Sequence, residues 1–450
     1  MTDQPLLTFY GDDFTGSTDA MEALAQAGLR TVLFLVPPNA ELLSQRFADV
    51  RCVGVAGTSR AMTPQEMDIG LMPMLRRLWS LGAPLLHYKV CSTFDSSPAI
   101  GNIGHVIDFA RASLNGGRPV SVLAGVPALR RYTIFGNHFA AAGPEIYRLD
   151  RHPTMSRHPT TPMDEADLRV HLARQTQAPV SLMSLLDLDG SDAEVAARYA
   201  ERMRAAPAAL LYDVLDQRRL QAAGRLLWEE AQRAQHFVVG SSGVGYALTA
   251  HWRASGAIPV DQVRWPRIEP LRQILVLSGS ASPMTAQQIA WATQHGFEAL
   301  RVPAGELAQP QRAAATAGNL LERAHAAFAA GHSVLLYTAS GPDDPGIAAT
   351  RACLASGENS ARLLGAALGR IARELLSRLP LRRIVIAGGD TSSYAAQELG
   401  LTALEMRAEL TPGAPLCRAY SSDARIDGLE VAFKGGQMGG ADYFGRARDG

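Results

Sequence analysis

Short apolar runs rich in branched residues recur along this chain with helical patterns between them, and that alternation limits the folds open to it. The runs are LLTFY, TVLFLV, CVGVAG, LLHYKV, VSVLAG, ALLYDV and HFVVG, then, after a break, QILVLSG, SVLLYT, RIVIAGG and LEVAFKGG. Several are nearly continuous in hydrophobicity, as strands covered on both faces should be. The segments between them, such as STDAMEALAQAG and ARLLGAALGRIARELLSRL, carry apolar residues at helical spacing. Strands alternating with helices predict an α/β fold with largely parallel sheets. The break, ASGAIPVDQVRWPRIEPLRQ, spans residues 254–273 and holds three prolines without periodicity. At 450 residues the chain is too long for one ordinary core. We therefore expect two domains, residues 1–255 and 256–450, each a largely parallel sheet with flanking helices.

Charge and cysteine content narrow the function. The formal net charge is +0, which argues against a dedicated nucleic-acid binder and favours a small-molecule partner. The four cysteines, Cys52, Cys91, Cys353 and Cys417, form no CxxC pair and suggest no disulfide framework, so a reducing cytoplasm is expected. MTDQPLLTFYGDD lacks the basic start and apolar core of a signal peptide. No apolar run approaches the ~20 residues of a membrane helix, so no membrane partner is expected.

In open α/β sheets ligands bind at the carboxyl ends of strands, so the loops there carry the chemistry. After the first strand, GDDFTGSTDAMEAL leads into a helix. Asp19 and Glu22 have the spacing of a capping box, which gives Asp19 a structural task. Asp12 and Asp13 remain on the loop, free to accept hydrogen bonds from substrate hydroxyls or to take a proton. Arg60 follows another strand beside Thr58 and Ser59, and its fork suits a carboxylate. Lys89 ends a strand and is followed by Cys91, Ser92, Thr93 and Asp95, a setting for a polyhydroxylated or anionic ligand. Cys91 reads as packing rather than as a nucleophile. His152 and His158 lie six residues apart with no cysteine near, which fits loop hydrogen bonding or substrate contact better than a zinc site.

Three glycine- and serine-rich loops follow strands in the C-terminal half. They are VLSGSASPMTAQQIA with Ser278 and Ser280, VIAGGDTSSYAAQEL with Gly388, Gly389, Asp390 and Thr391, and AFKGGQMGGADYF with Lys434, Gly435 and Gly436. Glycines let a backbone approach phosphate closely, and free N–H groups at a helix start favour anions. Three such loops in one domain point to a nucleotide site. Neither G-x-x-x-x-G-K-[ST] nor a first-strand G-x-G-x-x-G is present, which disfavours a P-loop enzyme and a standard dinucleotide fold.

Only two of the 43 Lys plus Arg residues are lysines, Lys89 and Lys434, and both end predicted strands. In a chain that uses arginine almost everywhere, lysine persists best where a compact point charge is needed. One lysine per half suggests Lys89 toward an acidic substrate and Lys434 toward phosphates.

The motifs GDDFTGSTD, KVCSTFDSS, SGSASPMT, GGDTSS and FKGGQMGG resemble those of the four-carbon acid sugar kinase family over Tyr10 to Phe444. GVPALRRYTIFGNHFA and HPTMSRHPTTPMDEADLR look like its 3-oxo-tetronate kinase branch. The resemblance implies an N-terminal domain for the acid sugar and a C-terminal domain for ATP, with Mg2+. It implies transfer of the γ-phosphoryl group to the C4 hydroxyl, 3-oxo-tetronate becoming its 4-phosphate. D-threonate or D-erythronate is the alternative acceptor. The substrate side would hold Asp12, Asp13, Arg60, Lys89, Ser92 and Thr93, with His158 as a further contact. Arg60 or Lys89 would hold the carboxylate, Asp13 or Asp12 would take the hydroxyl proton, and domain closure would exclude water. The nucleotide side would hold Ser278, Ser280, Gly388 to Thr391, Lys434, Gly435 and Gly436. Many relatives carry Asp-Ser-Thr after the first lysine and Lys-Ser-Gly in the last motif; here KVCST and KGGQMGG stand instead, so backbone contacts are expected near Gly435. The metal ligands are not identifiable, and a homodimer is expected only from general frequency. Two competing readings are an NAD-dependent sugar-acid dehydrogenase and a non-catalytic sugar-acid sensor. The missing first-strand fingerprint weighs against the first, and the three anion loops against the second.

Overall fold

A computed structural model describes residues 4–158, 160–260, 263–354 and 360–450, leaving the side chain of Asp390 outside the description. Its strands, in chain order, begin with β1 (Leu7–Gly11), β2 (Thr31–Phe34), β3 (Cys52–Ala56), β4 (Leu85–Lys89) and β5 (Val120–Leu123). Next come β6 (Arg131–Ile134), β7 (Asn137–Ala142), β8 (Glu145–Arg148), β9 (Val180–Met183), β10 (Ala209–Tyr212) and β11 (His236–Gly240). The last group is β12 (Leu275–Ser278), β13 (Phe297–Arg301), β14 (Ser333–Tyr337), β15 (Arg383–Ala387), β16 (Leu401–Ala408), β17 (Leu416–Ser421) and β18 (Glu430–Lys434). Every strand expected from the sequence forms. The additional ones, β6 to β9, β13, β16 and β17, are short or partly exposed, so no continuous apolar run announces them.

The chain divides into two compact units, one of residues 1–31 with 36–263, the other of residues 32–35 with 264–450. The first unit carries a sheet in the order β3-β1-β4-β11-β5-β10-β9, every pair parallel. Strands β1, β4 and β11 are buried along their whole length, as helices on both faces require. The order reverses between β1 and β4, and there Gly11 and Gly240 both lie opposite Lys89. Strands β6, β7 and β8 form a separate antiparallel sheet.

In the second unit β13-β14-β12-β15-β18 are parallel, and β17, β16 and β2 extend the sheet antiparallel. The order reverses between β12 and β15, whose ends Ser278 and Ala387 lie opposite each other, with Lys434 opposite Ala387. At the far ends of β15 and β18 the fully buried Arg383 donates Nε and Nη2 to Glu430 Oε2 at 2.9 and 2.6 Å and Nη1 to the Ala447 carbonyl at 2.6 Å. A buried charge is tolerable only when paired and hydrogen-bonded in this way. Among the described residues no helix is long and apolar enough to cross a membrane.

Candidate functional site

The first unit gathers its candidate residues where the sheet order reverses. The first helix begins earlier than its capping box suggests. It runs Phe14–Ala25 with Asp13 as N-cap, whose Oδ1 accepts from the Gly16 N–H at 3.0 Å. Asp19 therefore does not cap; it lies within the helix, on the half-exposed face it shares with Thr15 and Gly16. The capping competition was decided by Asp13, which sits in extended backbone directly after β1 and needs no rearrangement to reach Gly16.

Arg60 ties the two loop acids together. Its Nε and Nη2 donate to Asp12 Oδ2 and Oδ1 at 3.0 and 2.8 Å, and Nη2 donates to Asp13 Oδ1 at 2.8 Å. Asp13 Oδ2 also accepts from the Thr15 hydroxyl at 2.8 Å. The two neighbours respond in opposite directions. Burial raises the Asp12 carboxyl above its ordinary value despite Arg60, whereas for Asp13 burial is outweighed by Arg60, Lys89 and its hydrogen bonds, and the carboxyl is lowered. The Arg60 guanidinium stays charged; the cost of its burial is more than offset by Asp12 and Asp13.

Lys89 is buried, yet among the described residues its ammonium has no ion pair or hydrogen bond. It lies over Gly16, where any side chain would collide with Lys89 Nζ and Asp13 Oδ1; glycine is required there by close approach. Its ammonium faces the carboxylates of Asp12, Asp13 and Asp19 without a direct ion pair to any of them, which leaves its donors open to an anionic ligand.

The loop after Lys89 is held from several directions. Thr93 donates to Asp95 at 2.6 Å and lies 3.0 Å from Cys91 Sγ. Burial, with Asp95 close by, pushes the Cys91 thiol up to about 11, so it is a lining group rather than a thiolate nucleophile. Phe94 is buried with φ of 59°, local strain beside the site. The Ser92 carbonyl accepts from His138 Nε2 at 2.8 Å, and His138 Nδ1 lies 3.0 Å from the Thr133 hydroxyl. Burial lowers His138 to about 4, which keeps it neutral. His138 thus links the small antiparallel sheet to the loop that follows Lys89. His158 Nδ1 accepts from the Thr161 N–H at 3.1 Å and lies 3.0 Å from the Thr161 hydroxyl.

In the second unit the three glycine loops meet at the ends of the adjacent strands β12, β15 and β18. Lys434 Nζ, fully buried, donates to Thr285 Oγ1 at 3.0 Å and more weakly to the Gly436 carbonyl at 3.4 Å. Thr285 Oγ1 lies 3.0 Å from Ser280 Oγ and 3.1 Å from the Gly436 carbonyl, which Ser282 also contacts. Burial pushes the Lys434 amine down to about 8, with no acid among the described residues to offset it. Among the described residues the Ser278 hydroxyl is buried without a hydrogen-bond partner. Gly388, at φ 126°, is the N-cap residue of the helix Gly389–Glu398. A Cβ on Gly279 would collide with Thr391, and one on Gly436 would crowd Ser280. An unpartnered hydroxyl, a cation without counter-charge and a bare-backbone cradle suit a phosphate chain. The Asp390 side chain lies outside the described residues. Among the described residues no group of three or more His, Cys, Asp or Glu could hold a metal ion.

Reading the sequence missed Asp19, Ser242, His138 and the Ser282–Thr285 pair. Ser242 belongs to GSSGVG after HFVVG, a glycine–serine loop of the same kind as the three that were read, and it precedes the helix Gly243–Ala254.

Comparison with known proteins accords with this division. The sugar-binding N-terminal domain family matches residues 7–248, and the nucleotide-binding C-terminal domain family matches residues 275–444. The 3-oxo-isoapionate kinase of Paraburkholderia graminis is 48% identical over 99% of this chain and 94% of its own. The 3-oxo-tetronate kinase of Methylobacterium radiotolerans is 33% identical over 97% of each chain. A solved structure from Salmonella typhimurium shares the fold at TM-score 0.78 and 24% identity, covering 98% of both chains.

Proposed function

The chain belongs to the four-carbon acid sugar kinase family, and from that premise we propose that it transfers the γ-phosphoryl group of ATP to a hydroxyl of a 3-oxo sugar acid. The observation that carries this reading is the set of three loops around Lys434, whose amine is bonded among the described residues only to the neutral Thr285 hydroxyl and Gly436 carbonyl, with the orphaned Ser278 hydroxyl and the glycines at 279, 388 and 436. ATP bound there supplies the phosphoryl group. Lys434 would neutralise phosphate charge, Ser278 and Ser280 would donate to phosphate oxygens, and the backbone at Gly388 to Thr391 and at Gly435 and Gly436 would line the chain. Phosphoryl transfer asks mainly for positioning and charge neutralisation, which these groups supply. Mg2+ takes few protein ligands and several waters and phosphate oxygens; the described residues offer it no cage, and no step here depends on one.

On the acceptor side, Lys89 is assigned the sugar acid's carboxylate, because Arg60 already gives Nε and Nη2 to Asp12 and Asp13. Asp12, Asp13 and Arg60 form a rigid rim against which the hydroxyls are oriented, and Ser92, whose hydroxyl makes no hydrogen bond among the described residues, offers a further contact.

The higher identity to the 3-oxo-isoapionate kinase places that acid first among the acceptors to try, ahead of 3-oxo-tetronate. D-threonate and D-erythronate come next. The test is ATP consumption over these acids, with mass detection of a product heavier by one phosphoryl group. Turnover of a 3-oxo acid, lost by about 10²-fold in Lys434→Ala and in Lys89→Met, is expected. No ATP consumption with any of them, or an NADH-dependent absorbance change instead, overturns the reading.

A further inference from the structure

Three carboxyls surround the Lys89 ammonium: Asp12, Asp13 and Asp19. Two of them are already committed. Asp12 gives both oxygens to Arg60, and Asp13 gives its oxygens to Arg60, Thr15 and Gly16. Asp13, held by Arg60 and the helix N-terminus, is lowered and so is a poor proton acceptor, while Asp12, although raised by burial, has both oxygens engaged by Arg60 and none turned to a substrate hydroxyl. Asp19 stands apart. It follows Gly16 by three residues on the same helix face, and Gly16 is the residue that Lys89 Nζ lies against. It is only partly buried, and among the described residues it has no arginine partner and no ion pair with Lys89. The Ser242 hydroxyl, buried and without a partner in hydrogen-bond geometry, lies near enough to Asp19 to oppose the effect of burial on it. Ser242 lies two residues beyond the end of β11, and that end, Gly240, lies opposite Lys89.

We infer that Asp19 is the general base of the reaction, taking the proton of the acceptor hydroxyl, and that Ser242 orients its carboxylate. The inference rests on the kinase reading above and names the proton acceptor for that site. The acceptor oxygen forms its bond to the γ-phosphorus as the bond from that phosphorus to the β,γ-bridging oxygen breaks and ADP leaves. The hydroxyl proton passes to an Asp19 carboxylate oxygen, which returns it to water after product departs. Burial raises the Asp19 carboxyl above its ordinary range, in the direction that improves a base, while Lys89 opposes that rise and Asp13 adds to it. Tyr246, on the helix Gly243–Ala254, is a further titratable group near Asp19 and near Glu22 of the same helix as Asp19.

The experiment compares wild type, Asp19→Asn, Asp19→Glu and Ser242→Ala by steady-state kinetics with a 3-oxo sugar acid and ATP. We expect Asp19→Asn to lower kcat by about 10²-fold or more, with KM for the sugar acid changed less than about threefold. Asp19→Glu should recover part of that loss, and Ser242→Ala should lower kcat by a smaller factor. A normal kcat in Asp19→Asn, or a raised KM with unchanged kcat, overturns the inference. Should Asp19→Asn not fold, Asp19→Glu decides: kcat and its pH profile identical to wild type overturn the inference, and a displaced acid limb supports it. A wild type that turns over no sugar acid overturns the kinase reading and this inference with it, whereas an active wild type with an unimpaired Asp19 variant overturns this inference alone.

Discussion

Lys434 holds an ammonium in a fully buried position with only a hydroxyl and a carbonyl for company, and burial brings its pKa to about 8. In the unfolded chain the same group keeps its proton to about 10.4. Between those values the unfolded state binds more protons than the folded one, so stability contributed through Lys434 rises with pH across that window. A phosphate chain reverses the local balance, because its charge favours the ammonium. Nucleotide binding above pH 8 should therefore take up a proton, and affinity should fall by up to about tenfold per pH unit. Calorimetry at pH 8.5 in buffers of different ionisation heat checks this: equal apparent heats would remove Lys434 from the phosphate site. The two lysines are conspicuous in the sequence because the chain is otherwise basic through arginine. Asp19 was hidden for a local reason. Two acids competed for the cap, and backbone geometry at Asp13, rather than residue type, decided between them.

At the level of elements, β7 was not legible and proves to matter. Its six residues, NHFAAA, are mostly half-exposed, and their only apolar run is FAAA, which has no branched residue. His138 is placed by that strand against the Ser92 carbonyl. Replacing His138 with Ala removes a buried hydrogen bond, worth about 0.5–1.5 kcal/mol, and frees the loop that follows Lys89. KM for the sugar acid should rise by about three- to tenfold while KM for ATP stays unchanged. An equal rise in both would show a general loss of structure instead, and no change would show that the loop holds itself. The parallel strands were legible because burial on both faces writes an unbroken hydrophobic run into the sequence, as in RIVIA of β15.

For the whole molecule, β2 is the element whose partner could not be read. TVLF reads as one more buried strand near the start of the chain, yet residues 32–35 belong to the second unit, where β2 pairs antiparallel with β16. A piece of the chain comprising residues 264–450 alone would leave β16 as a bare edge strand, which invites pairing with another copy. Light scattering after size-exclusion chromatography should show concentration-dependent self-association of that piece. A monomeric, soluble piece would show β2 to be dispensable.

By itself the sequence determined the α/β class, the strand-end loops and the two lysines, because hydrophobic periodicity and residue chemistry act over a few neighbouring positions. Tertiary structure alone decided which loops share a strand end, that Arg60 binds Asp12 and Asp13, and that Asp19 comes near both Lys89 and Ser242. Those outcomes depend on strand order and register, which bring together residues far apart in the chain, and no local pattern encodes that pairing.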